Sequence, residues 1–137
     1  MSVDVNDMRI KQRALERLQS LLDAMTETPR AIIAEDTGGG RDGYEPKMGI
    51  LTDTRIIVAD MTRVQAWKLE DIAKVTTNLG GSSFLSRGRL HQVYVVPNPG
   101  KYPDHVEMLR SLNRQVALEF AQALRQASTN AVLNGTS

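Results

Sequence analysis

The stretch Gly49–Val75, GILTDTRIIVADMTRVQAWKLEDIAKV, leaves a chain few ways to fold, because short apolar runs alternate along it with turn formers. Ile50 with Leu51, Arg55 to Ala59 and Val64 to Leu69 are rich in β-branched and apolar residues. Thr52-Asp53-Thr54 and Asp60 to Arg63 separate them, a pattern that predicts a hairpin followed by a third strand. Leu69, Ile72 and Val75 then recur every three residues, a spacing that a helical turn would bring to one face, so the third strand is expected to close on such a turn. The stretch reads as architecture, with no pattern of an enzyme's motif.

The 137 residues suit one domain, long enough to bury a core without disulfides or a structural metal. The absence of cysteine excludes disulfides, thiolate catalysis and Cys-ligated zinc or iron–sulfur clusters. Seventeen Lys and Arg balance sixteen Asp and Glu, leaving a net charge of +1, so no overall field draws the chain to nucleic acid or an anionic membrane. Any electrostatic site must be a local patch. The mixed-charge start, MSVDVNDMRIKQRALERL, lacks a signal core, and no run of about 20 apolar residues occurs, so a cytoplasmic protein is expected.

Three segments follow from periodicity and breakers. Residues 1–28 read as an N-terminal amphipathic helix, its stripe Met8, Leu15, Leu18, Leu22 and Met25, with Asn6 or Asp7 to start it and Pro29 to stop it. Residues 29–128 form the domain proper. A short strand at Arg30–Ala34 precedes a glycine-rich loop, Asp36–Pro46. Turns are expected at Gly80–Ser83 and Ser86–Arg89, and a strand at Leu90–Val96 ends in Pro97-Asn98-Pro99-Gly100. Asp104 stands three residues before Glu107, a capping-box pattern, and Met108, Leu109, Leu112, Val116, Phe120, Leu124 and Ala127 then follow at helical spacing. A long amphipathic helix over Asp104–Ala127 is predicted, with 129–137 a flexible tail.

Two segments in this order carry a family likeness. Gly49-Ile50-Leu51-Thr52-Asp53-Thr54-Arg55-Ile56-Ile57-Val58 is similar to a small-apolar-T-(D/N)-x-R-apolar hairpin, and Trp67-Lys68-Leu69-Glu70-Asp71-Ile72 to an apolar-x-L-x-D-I strand-to-turn segment. With the closing helix, they make residues 31–127 resemble the bacterial pleckstrin-homology-like domains, relatives of the GRAM and pleckstrin-homology superfold. The resemblance implies an α+β fold: a strongly bent antiparallel sheet or partial barrel, one opening plugged by the C-terminal helix. Lipid-binding members grip phosphates with several Lys and Arg between their first two strands. Here the loop Asp36–Lys47 offers only Arg41 and Lys47 against Asp36, Asp42 and Glu45, a departure that argues against phosphoinositide recognition.

The superfold hosts many functions, so sites must be argued from residues. Arg87 and Arg89 on one turn, with Arg41 and Lys47, form the best local cluster for an anion or acidic partner, although an arginine pair in a turn is also ordinary solvated surface. Catalysis lacks a nucleophile elbow or a metal-binding histidine pair around His91 and His105, and Glu70 beside Asp71 reads as turn and cap; no cofactor or metal is expected. Scattered aromatics give no stacking platform for nucleic acid. Two functions stay open. One is a non-catalytic protein-interaction or scaffolding module forming homo-oligomers through Leu15, Leu18, Leu22 and Met25, residues that could equally pack on the domain's own sheet. The other is a peripheral module for anionic membrane headgroups using the basic cluster.

Overall fold

The computed structural model describes residues 12–34, 47–79, 91–111 and 113–135. The glycine-rich loop Asp36–Pro46, the turns at Gly80–Ser83 and Ser86–Arg89, and the start of the first helix lie outside them. The described elements run in the order α1 (Gln12–Ala24), β1 (Ala31–Ala34), β2 (Met48–Leu51), β3 (Arg55–Ala59), β4 (Val64–Lys68), a single 3-10 turn (Leu69–Asp71), β5 (Ile72–Asn78), β6 (His91–Pro97), β7 (Glu107–Ser111) and α2 (Arg114–Gly135). Among the described residues this is an α+β fold of two antiparallel sheets, β1-β2-β3-β4 and β5-β6-β7, with no closed barrel.

The four-stranded sheet is buried on both faces across its first three strands, which is why they read as nearly unbroken apolar runs. Ile33, Leu51, Ile56 and Val58 point inward, to a core shared with Val93 and Val95 of β6, Leu109 of β7 and Ala117, Phe120, Ala121 and Leu124 of α2. Ile32, Ala34, Met48, Ile50, Ile57 and Ala59 point outward, where Leu18 of α1 is wholly buried among them and Leu15, Leu21, Leu22 and Met25 pack at the edges. The register Ile50↔Ile57 and Leu51↔Ile56 keeps the two rows apart, as a period of two requires. Gly49 marks where the layers press closest: a Cβ there would stand 2.7 Å from Leu109 Cδ1 and 3.3 Å from Phe120 Cζ, so the inner core reaches bare backbone.

The three-residue repeat of Leu69, Ile72 and Val75 is realised in two ways. Leu69–Asp71 is the helical turn expected of it. The next step, Ile72 to Val75, is not helical: both residues belong to β5, and a register irregularity between Ile72 and Lys74 inserts the residue that turns Val75 back to the core.

The C-terminal helix requires a correction. Residues 107–111 form strand β7, paired with β6 through Val95↔Glu107 and Val93↔Leu109. The helix begins at Arg114, capped by Asn113, whose Oδ1 accepts from the amides of Gln115 (3.0 Å) and Val116 (3.2 Å). Asp104 caps nothing; it sits at a φ of 58° in the β6–β7 connection. At the other end α2 runs to Gly135, so residues 129–135, expected as tail, are helical.

Candidate functional site

The threonine-rich hairpin that carried the family likeness is a structural lock. Thr52 is fully buried at the β2–β3 turn; its Oγ1 accepts from the amides of Thr54 (3.2 Å) and Arg55 (3.1 Å) and donates to Glu27 Oε2 at 2.6 Å. Thr54 Oγ1 donates to the same oxygen at 2.6 Å, and Arg55 Nε donates to Glu27 Oε1 at 2.7 Å. These donors, Thr52 and Thr54 first, hold the Glu27 carboxyl below its ordinary value, against a smaller opposing effect of burial. Asp60 plays the corresponding part at the β3–β4 turn, where its Oδ1 accepts from Thr62 and Arg63 amides. Burial pushes its carboxyl up, but those hydrogen bonds outweigh it and the net shift is downward.

Of the four cations expected at an anion site, Arg41, Arg87 and Arg89 lie outside the described residues. Lys47 precedes β2, and its Nζ is 3.0 Å from Glu107 Oε2. The other oxygen of that largely buried carboxylate is 3.0 Å from His105 Nε2, and the His105 ring lies 5.1 Å from Trp67, which meets Tyr102 edge-on at 6.4 Å. Lys101 donates to Asp71 Oδ1 at 3.1 Å, the hydrogen bond that raises its ammonium pKa. Together these contacts tie the β6–β7 connection to β2, β4 and the 3-10 turn. Lys47 therefore has a carboxylate partner inside the fold.

The helical stripe expected at an oligomer contact faces the chain's own sheet. Leu18 is fully buried there, Leu15, Leu22 and Met25 are partly so, and Arg17 Nε ties the helix to the carbonyl of Asp60 at 3.1 Å. A surface cleft of about 840 Å³ lies between α2 and the start of the sheet, lined by Arg30, Asp53, Glu119, Gln122, Gln126 and Asn130 among others. Arg30 and Asp53, both on its wall, form an exposed ion pair. Among the described residues no cluster of His, Asp or Glu could hold a metal ion, and no buried side-chain polar atom lacks a partner. Among them, too, no helix is long and apolar enough to cross a membrane.

What the fold leaves unmatched is a line of backbone. Strand β4 pairs with β3 and has no second neighbour among the described residues. Hydrogen bonds from Asp60 N to Arg63 O (3.0 Å) and from Leu69 N to Thr54 O (3.1 Å) fix the alternation along the pair. Residues 63, 65, 67 and 69 turn their amides and carbonyls to β3, so Val64, Ala66 and Lys68 present theirs outward. The side chains are open as well: Val64 is 50% exposed, Gln65, Ala66 and Lys68 are exposed, and only Trp67 is buried. The outer edge of the second sheet differs, because Arg125 of α2 donates to the carbonyl of Val75 in β5 at 3.0 Å. β4 is legible in the sequence as a strand, but its edge position is not, because that depends on where β5 goes after the 3-10 turn. A scan against models of known protein families gives no match, and no curated protein matches this sequence.

Proposed function

We propose that this chain is a non-catalytic interaction module of pleckstrin-homology-like architecture that takes an extended segment of a protein partner as an added strand on β4. The order of four strands, then three, then a long closing helix supports the architectural reading. The open edge of β4 carries the functional one: three residues in alternation offer amide donors and carbonyl acceptors outward, beside a half-exposed valine. Such an edge is a template for main-chain pairing unless it is blocked by proline, a bulge or a covering element. β4 has no proline, and its pairing with β3 is regular from Ala59↔Val64 to Arg55↔Lys68.

We place the interaction here and not at α1, because pairing two copies through α1 would strip Leu18 from a site where it is fully buried. Selection of binders from a displayed library of random peptides tests the reading. Selected peptides should slow amide exchange at Val64, Ala66 and Lys68 and lose binding to Ala66→Pro, which removes an outward donor from an edge that tolerates proline. Peptides that protect some other surface and bind Ala66→Pro unchanged would remove the proposal.

A further inference from the structure

Resting on the strand-addition reading, the geometry points to an acidic residue in the partner segment: β4 selects an extended peptide that sets a carboxylate opposite Lys68, with apolar side chains opposite Ala66 and Val64. A like-charge pair lies within the first sheet. Arg55 and Lys68 stand directly opposite one another across β3 and β4. The hydrogen bond from Leu69 N to Thr54 O makes theirs a non-hydrogen-bonded pair, the kind in which facing side chains lie closest. Like charges so placed repel.

Only one of the two is compensated. Arg55 Nε is 2.7 Å from Glu27 Oε1, whereas Lys68 is exposed and has no carboxylate within ion-pairing distance among the described residues. Glu70 is near in sequence but sits beyond the strand, in the 3-10 turn, and pairs with neither. Lys68 also has outward backbone groups, so a residue paired to it from the free side lies beside its ammonium on the same face of the sheet. A carboxylate there would flank the Arg55–Lys68 cation pair on the side away from Glu27, giving each of the two cations its own acidic neighbour. Two and four residues along the incoming strand, the period of two sets side chains against Ala66 and half-exposed Val64.

The same register argues against a second copy as occupant. An antiparallel copy of β4 centred on Ala66 would set Val64 opposite Lys68, and Val64–Lys68, VQAWK, contains no acid. A strand from a different protein can supply one.

The test uses three eight-residue peptides alternating threonine with valine, identical except for glutamate, glutamine or lysine at one terminal valine position. Amide shifts of the full-length protein are followed at low salt. The glutamate peptide should bind about threefold tighter than its glutamine counterpart, the size expected of one cross-strand charge pair. The order should reverse for Lys68→Glu, in which the lysine peptide binds best. Binding of all three with equal affinity at Val64 and Ala66 would overturn the acidic preference while leaving strand addition intact. Shifts confined to other surfaces would overturn both. Peptide-independent shifts that grow with protein concentration would make a second copy the occupant and also sink the inference.

Discussion

Glu27 shows how much one side chain can organise. It precedes the first strand, yet it accepts from Thr52, Thr54 and Arg55 at 2.6, 2.6 and 2.7 Å and so fixes the turn between the second and third. Glu27→Ala leaves the buried Thr52 hydroxyl with only the carbonyl of Arg55 to donate to, at 3.1 Å. Hydrogen bonds to a charged group are each worth about 1.5–3 kcal/mol, but Arg55 and Glu27 are partly solvated, which screens their attraction. A net loss of roughly 2 kcal/mol in urea unfolding is expected. The pH dependence has a definite sign. Because the folded carboxyl is held below its ordinary value of 4.5, its stabilisation is complete above that pH and is lost as pH falls through the lowered folded value. The stability gap between wild type and Glu27→Gln should therefore be widest near neutrality and close on acidification. A gap independent of pH would contradict the assignment. This role was only half legible in the sequence. The turn at Thr52-Asp53-Thr54 followed from residue type, whereas the partner 25 residues upstream of Thr52 could be found only once β1 had carried Glu27 alongside.

At the scale of elements, α1 and β7 show opposite lessons in legibility. The stripe Leu15, Leu18, Leu22 and Met25 was plain because helical period and apolar side chains coincide, but periodicity says which face is buried and not against what. The sheet supplied the cover through Ile32, Ala34, Met48, Ile50, Ile57 and Ala59, an outer row half hidden in strands that read as apolar on both faces. Strand β7 was hidden for a different reason. Its inward positions are Glu107, Leu109 and Ser111, so two of three buried side chains are polar, and the alternation that betrays a strand is masked. Met108 and Leu109 meanwhile fall in step with the helix that follows. Glu107 tolerates burial because Lys47 and His105 take its two oxygens, a pairing no local pattern announces. The packing of α1 makes a clear prediction. Leu18→Ala removes a fully buried side chain from a close-packed layer and should cost about 2–4 kcal/mol, read by urea unfolding, while the mass measured by light scattering stays the same. A drop in mass with stability preserved would restore α1 as a contact between copies.

For the whole molecule, the decisive fact is that one sheet serves two cores. β1, β2 and β3 send alternate residues to the inner cluster with α2 and the second sheet, and to the outer cluster with α1, so neither layer can loosen without exposing a face of the same three strands. The open edge of β4 adjoins this framework, paired along its full length to β3, so the partner strand proposed above would meet an edge anchored to the shared sheet. Trp67 is the only tryptophan and lies on the inner face of that edge strand, 4% exposed and in contact with Tyr102 and His105. Its emission therefore reports the inner core, while far-UV circular dichroism is weighted towards α1 and α2. If the shared sheet couples the layers, both signals should follow one urea transition with the same midpoint and slope. Loss of helical signal before Trp67 responds would mean that α1 detaches as a separate unit, and the three shared strands would then not bind the two cores into one cooperative structure.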